Sequence, residues 1–234
     1  MGRQHSGEVT SSFMVEGIIN YLLSGSPEAQ YLMDSYLFRV VPMLNIDGVV
    51  HGNSRADLSG YDPNRKWSDP SKLYQPVLYS IKKIIEKDSV EMILDLHSHS
   101  RKLGTFFYCN SSPHYSNTIK IFPMLVCKND QRFDYKSNRF RGGNNTTARR
   151  VFYEILNIPY VYTIESSLFG YQKEGDFRIT AYQPDDYRSM GQSVLKSYAQ
   201  LMIKKQSMKS KDERLLLCSK EELESENNVW DRMN

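Results

Sequence analysis

Apolar residues recur at helical spacing over residues 11–23, where Phe13, Met14, Ile18, Ile19, Leu22 and Leu23 fall in register. That pattern predicts an amphipathic helix. Ser26-Pro27-Glu28 has the form of an N-cap and first turn and opens a second, shorter helix. Residues 36–43 are rich in aromatic and β-branched side chains and predict a strand. The pattern then breaks. Residues 45–67 are mostly Gly, Asn, Asp, Ser and Pro, which reads as a long loop of the kind that usually carries function.

Helical spacing returns over 72–87, with Leu78, Ile81, Ile84 and Ile85 on one side. A short apolar run, 92–96, ends at His97 and reads as a buried parallel strand; 105–108 reads as a further strand. Residues 115–127 are ambiguous, because Pro123 is expected to interrupt any helix there. Residues 132–145 are basic and contain glycine, and read as a loop. A helix is expected over 146–156, with Val151, Phe152, Ile155 and Leu156 inward, and a strand over 160–164 runs into Glu165. The clearest helix is 184–203, opened by Pro184-Asp185-Asp186 and carrying Tyr187, Met190, Val194, Leu195, Tyr198 and Met202 in register. Beyond Lys204 the chain turns polar and charged. Residues 1–203 therefore read as one domain, and 209–234 as a mobile or helical tail outside its core.

Alternating strands and helices argue for an α/β domain, with a mostly parallel or mixed twisted sheet and helices on both faces. In such folds sites form beyond the carboxyl ends of strands. His97 and Glu165 close two of the predicted strands and Asn45 follows a third. His5 would follow a fourth, which this sequence is expected to lack.

Composition changes this picture only by exclusion. With 40% hydrophobic and 24% charged residues, the 234-residue chain is ordinary for a globular domain. No apolar run is long enough to span a bilayer, so no membrane partner is expected. A net charge of +3 is too mild to point to nucleic acid. Cys109, Cys127 and Cys218 form no CxxC pair and are odd in number, which suggests a reducing, cytoplasmic setting and argues against a cysteine metal site.

The chemistry-bearing residues are few. His5-Ser6-Gly7-Glu8 can place an imidazole and a carboxylate around one ion from a single turn, and His97 could supply a second imidazole. Two histidines and one glutamate form a familiar ligand set for a catalytic zinc with an open position. Taken alone, His-x-x-Glu is a weak signal, better read as a surface histidine beside a helix-N-terminal glutamate. His99 could share a face with His97 and compete as the ligand; His97 is favoured because it directly follows the apolar run. Asp95 reads as a carboxylate orienting a neighbour or as a satisfied buried group. Glu165 ends an apolar strand, so it needs either an ion-pair partner or a role as general base. Arg55 and Arg65, with Asn64, lie in the polar loop, where an arginine fork suits a carboxylate and a solvated arginine is the ordinary alternative.

These residues occur in one order, and they sit inside Pro42-Met43-Leu44-Asn45-Ile46-Asp47-Gly48-Val49, Gly52-Asn53-Ser54-Arg55, Asn64-Arg65-Lys66-Trp67, His97-Ser98-His99-Ser100-Arg101-Lys102, Thr147-Ala148-Arg149 and Tyr162-Thr163-Ile164-Glu165. Together the phrases resemble the zinc metallocarboxypeptidases of the carboxypeptidase A superfamily, and within it the cytosolic carboxypeptidases that trim glutamates from tubulin tails. The likeness covers roughly residues 5–203. It implies one zinc per chain held by His5, Glu8 and His97. It implies that Arg55 polarises the scissile carbonyl, that Asn64 and Arg65 hold the substrate's terminal carboxylate, and that Glu165 is the general base. Arg149 would favour acidic side chains, although its helical position also suits an ordinary surface arginine. The implied partners are acidic C-terminal protein tails such as those of tubulin. Two other readings fit the same residues: a relative that binds acidic tails without cutting them, and a zinc amidase acting on N-acyl amino acids. The resemblance also implies a strand entering His5 and a β-rich domain before it, neither of which is expected in this sequence.

Overall fold

The computed structural model describes residues 1–110, 118–173 and 175–207. The expected tail at 209–234 lies outside the described residues, as does the start of the ambiguous 115–127 segment.

Three strands form the central sheet: β1 (Met92–His99), β2 (Thr105–Cys109) and β3 (Tyr160–Ser167). β3 lies in the middle, parallel to β1 and antiparallel to β2. A small hairpin, β4 (Gly170–Gln172) and β5 (Ile179–Ala181), follows it. The helices are α1 (Thr10–Leu22), α2 (Pro27–Ser35), α3 (Ile46–Val50), α4 (Pro76–Lys87), α5 (Thr118–Asn129), α6 (Ala148–Glu154) and α7 (Pro184–Ser207).

Strand alternation sorts the side chains onto two faces. Leu96, Tyr162 and Ile164 join one buried cluster with α1, α5 and α7. Ile93 and Val161 join a second with Leu44, Trp67, Leu78, Ala148, Val151 and Phe152. Helices therefore cover both faces, as the alternation of elements predicts. The odd-numbered register that puts Ile93 and Val161 on the second face also puts Asp95, His97, Thr163 and Glu165 there.

α1 and α7 cross backbone to backbone. A Cβ on Gly17 would stand 1.9 Å from the Arg188 carbonyl oxygen, and one on Gly191 would stand 2.1 Å from that of Met14. Only glycine permits that approach. Gly191→Ala should therefore lower stability by about 2 kcal/mol or more, seen as a lower denaturation midpoint; an unchanged midpoint would show that the helices can separate freely.

Three expectations are corrected. Residues 36–43 form no strand, because a strand needs a bonded neighbour along its length. Among the described residues, the backbone bonds of this stretch to a neighbouring segment run through Met1–Arg3: Gly2 N–H donates to Val41 O (2.9 Å), while Leu44 and Asn45 N–H donate to the Gly2 and Arg3 carbonyls (2.9 and 3.0 Å). On the other side the Met1 amine donates to Leu94 O at 2.7 Å and Leu96 N–H donates to Met1 O at 2.9 Å. Residues 1–3 thus lie between β1 and the 41–45 segment without forming a strand.

Pro123 does not interrupt α5. A proline cannot donate to the carbonyl four residues back, and the Tyr162 hydroxyl takes that carbonyl instead, donating to Ile119 O at 3.0 Å. The 45–67 loop is also less irregular than its composition suggests. Asn45 caps α3, accepting from Gly48 N–H at 3.0 Å, and Asp62 caps a short 3-10 turn, Pro63–Arg65, accepting from Asn64 N–H at 2.8 Å.

Candidate metal centre

His5, Ser6, Gly7 and Glu8 form a tight turn in which Glu8 N–H donates to His5 O at 3.1 Å. The turn is clamped on both sides. The Arg3 guanidinium donates to Ser6 O at 2.9 and 2.6 Å, and the Ser6 hydroxyl donates to Asn53 O at 2.7 Å. Gly7 N–H reaches Ser54 O at 2.8 Å, and a Cβ on Gly7 would stand 2.7 Å from that oxygen. The glycine is required where the turn meets the 53–55 loop.

The turn carries His5 and Glu8 to the carboxyl end of β1, where His97 points from the second sheet face. Nδ1 of His5 lies 2.6 Å from Glu8 Oε1, Nδ1 of His97 lies 2.9 Å from Glu8 Oε2, and the two Nδ1 atoms are 3.2 Å apart. One donor atom from each residue falls within 4.8 Å of the others. A zinc ion bound at about 2.0–2.2 Å from each donor needs that proximity.

The remaining ring nitrogens face carboxylates. His5 Nε2 stands 3.0 Å from Asp62 Oδ1, and His97 Nε2 stands 2.9 Å from Asp95 Oδ2. Outer carboxylates of this kind orient metal-binding imidazoles and keep the inner nitrogen directed at the ion. The residues therefore fit a zinc by donor type, convergence and outer support.

The electrostatics agree. Burial favours neutral imidazoles, but Asp95 and Glu8 outweigh it and raise His97 well above its ordinary value; Asp62 and Glu8 do the same, less strongly, for His5. Burial also disfavours a charged Glu8, yet the two imidazoles bring its carboxyl down to about 2. The three side chains favour opposite charge at close range, as expected of a site that exchanges protons for a cation.

His99 is not part of this cluster. Its Nδ1 accepts from the backbone N–H groups of Arg101 and Lys102 at 2.9 and 3.1 Å, which makes it a turn cap. Glu165 is the lateral neighbour of His97 in the parallel β1–β3 ladder. Burial pushes its carboxyl up to about 7, with His97 pulling the other way. Arg55 pairs with Asp62 at 2.7 Å and brings Nη1 to 3.5 Å from His5 Nδ1, so it borders the cluster.

Asn64 is buried. Its carbonyl oxygen accepts from Ala148 N–H at 2.9 Å and its amide nitrogen stands 3.5 Å from His97 Nε2. Arg65 is exposed, with Nη1 held by Asn64 O at 2.8 Å. Arg149 is 8% exposed, so it is not a surface arginine. It donates to Asn110 Oδ1 and to Gly142 O, and among the described residues no carboxylate pairs with it. Burial lowers its pKa.

Sequence reasoning left Asp95 open and did not single out Gln4 or Asp62. The capping sequence Asp62-Pro63 carries a local signal for Asp62, but its contact with His5 spans the fold and has none.

The zinc carboxypeptidase family model matches residues 1–187. Human cytosolic carboxypeptidase 6 is 36% identical over 208 residues, covering 84% of this chain and 41% of that protein. Human cytosolic carboxypeptidase 2 is 36% identical over 201 residues, covering 82% and 22%. The chain thus spans about two fifths or less of the length of these relatives. Among solved structures, a metallo-carboxypeptidase from Burkholderia cenocepacia aligns with a TM-score of 0.74 at 22% identity, covering 84% of this chain and 54% of that one. A metallo-carboxypeptidase from Pseudomonas aeruginosa, in complex with (2-guanidinoethylmercapto)succinic acid, aligns at 0.75 and 23%, covering 86% and 56%. These two show the same fold: a mixed sheet between helices. By the match over most of its length and by its similarity to the cytosolic carboxypeptidases, the chain belongs to the zinc carboxypeptidase family.

Proposed function

We propose that this chain carries a zinc-dependent carboxypeptidase centre that removes C-terminal residues, glutamates above all, from acidic protein tails such as those of tubulin. The observation that carries the reading is the placement of Glu165 beside His97, on the face where His5, Glu8 and His97 converge. His5, Glu8 and His97 would hold one zinc. When bound, the ion supplies a Lewis acid that polarises the scissile carbonyl.

The chain's own groups account for the rest. Glu165 as carboxylate takes a proton from the attacking water and returns it to the leaving amine. Arg55 directs its guanidinium at the oxygen on which negative charge develops. The open part of the Arg65 fork suits the substrate's terminal carboxylate, with Asn64 beside it, so that only the last peptide bond reaches Glu165.

Acidic preference is supported by Arg149. A buried guanidinium without a carboxylate partner is costly, and an anionic side chain would supply the missing charge. Ala148 N–H, one residue away, bonds Asn64, which links Arg149 to the proposed carboxylate site. Trimming of acidic tails would take place in the cytoplasm, in keeping with relatives named cytosolic. Association with microtubules or cilia would follow from a tubulin substrate.

The test compares zinc-loaded protein on peptides ending in glutamate runs, on peptides ending in neutral residues, and on N-acyl amino acids. Cleavage of the glutamate peptides one residue at a time is expected. Turnover of N-acyl amino acids alone would replace this reading with an amidase, and tight binding of acidic peptides without turnover would reduce it to a binding module. Arg149→Ala is expected to cut kcat/KM on glutamate-ended peptides by about 10- to 100-fold, the worth of a charge-assisted hydrogen bond. Neutral-ended peptides should lose far less, and an unchanged ratio between the two would clear Arg149 of the role.

A further inference from the structure

The indole of Trp67 can only donate, and its N–H goes to Gln4 Oε1. That pins the Gln4 amide. With its oxygen toward Trp67, its nitrogen must face Asp95, where Nε2 stands 3.1 and 3.0 Å from the two carboxylate oxygens. Gln4, Trp67 and Asp95 are 0% exposed and His97 is 2% exposed. A flipped amide would set oxygen against carboxylate and amide hydrogens against the indole N–H in a buried site, which is costly.

Asp95 in turn meets His97 as an acceptor at 2.9 Å. Two amide nitrogens also lie near His97 Nε2, from Gln4 at 3.3 Å and Asn64 at 3.5 Å. The carboxylate contact is shorter and charge-assisted, so Nε2 carries the proton. Nδ1 is then the nitrogen that faces His5 and Glu8 with a lone pair to give.

We propose that Gln4 and Trp67 are positioning residues for the metal centre: through Asp95 they fix the ring orientation and tautomer of His97. The inference rests on the reading of His5, Glu8 and His97 as zinc ligands. It also explains why a glutamine, rather than an apolar residue, occupies a fully buried position just before His5.

The test measures zinc dissociation constants, against a competing chelator, for wild type, Trp67→Phe, Gln4→Met, the double variant and Phe152→Leu. Phe152 packs edge-on against Trp67, with ring centroids 4.8 Å apart, and takes no part in the hydrogen-bond chain. It reports what loosening the same core does by itself. Thermal unfolding of each metal-free variant confirms folding, and Gln4→Met reaches the same amide should Trp67→Phe fail to fold.

Each single variant is expected to weaken zinc binding on the order of 10-fold, the low end for loss of an outer partner. The double variant should be little worse than either, because both break one chain. Phe152→Leu should lower the unfolding midpoint and leave zinc affinity within about twofold. Unchanged affinity in both single variants, or an equal loss in Phe152→Leu, would overturn the positioning role. A wild-type chain that binds no zinc would overturn the ligand reading itself.

Discussion

Glu165→Gln is expected to abolish peptide cleavage and leave zinc bound. Glu165 is not one of the three converging donors, so its amide isostere leaves the metal site intact. What it removes is the proposed proton acceptor beside His97. General-base assistance contributes about 10²- to 10⁴-fold, and a loss of that size in kcat at unchanged zinc content is the expected result. Retained turnover would remove Glu165 as the base.

The same substitution has a second consequence in the metal-free protein. Burial pushes the Glu165 carboxyl from 4.5 up to about 7. Below the unfolded value both states hold the proton and nothing is lost. As pH rises from 4.5 to about 7 the unfolded state gives up its proton first, so stability falls, and above about 7 the full cost of a buried carboxylate is present. The cost is at most about 3 to 4 kcal/mol, from about 1.4 kcal/mol per pH unit. Metal-free Glu165→Gln should therefore unfold at a higher temperature than wild type at pH 8 and at nearly the same temperature at pH 4.5. Equal midpoints at pH 8 would mean that the carboxylate is better solvated than its position between β1 and β2 implies.

The second large effect is at His97. His97→Ala takes away one of the three converging donors and leaves Asp95 and Gln4 facing a gap. Zinc affinity should fall by more than about 100-fold, beyond what loss of an outer partner costs. His99→Ala supplies the contrast. The sequence offers both histidines on one strand face, but His99 faces the turn after β1 and accepts from Arg101 and Lys102. Its removal should leave zinc affinity unchanged, and loss of zinc in His99→Ala with retention in His97→Ala would reverse the assignment.

Much of this arrangement was legible in the sequence, for identifiable reasons. The apolar run before His97, the strand ending at Glu165 and the register of 184–203 are local patterns, and each matches an element of the structure. The ligand candidates were legible because their types and order resemble a known family. The caps at Asn45 and Asp62 that order the 45–67 loop are local, and the other misses are long-range. Residues 36–43 have strand composition, but a strand forms only where a neighbour pairs with it, and composition does not report the neighbour. Pro123 looks like a helix breaker until Tyr162, 39 positions further along the chain, supplies the hydroxyl that takes the Ile119 carbonyl. Asp62, Asp95 and Gln4 look like ordinary polar residues, because their value lies in partners that folding brings to them. Arg149 could be read as a surface arginine on a helix; its burial and its lack of a carboxylate partner among the described residues are visible only in three dimensions.

Whether His5, Glu8 and His97 hold a zinc is decided by metal analysis of the purified chain. About one zinc per chain is expected, removed by a chelator and restored by added zinc. A folded chain that takes up no stoichiometric zinc would contradict the assignment.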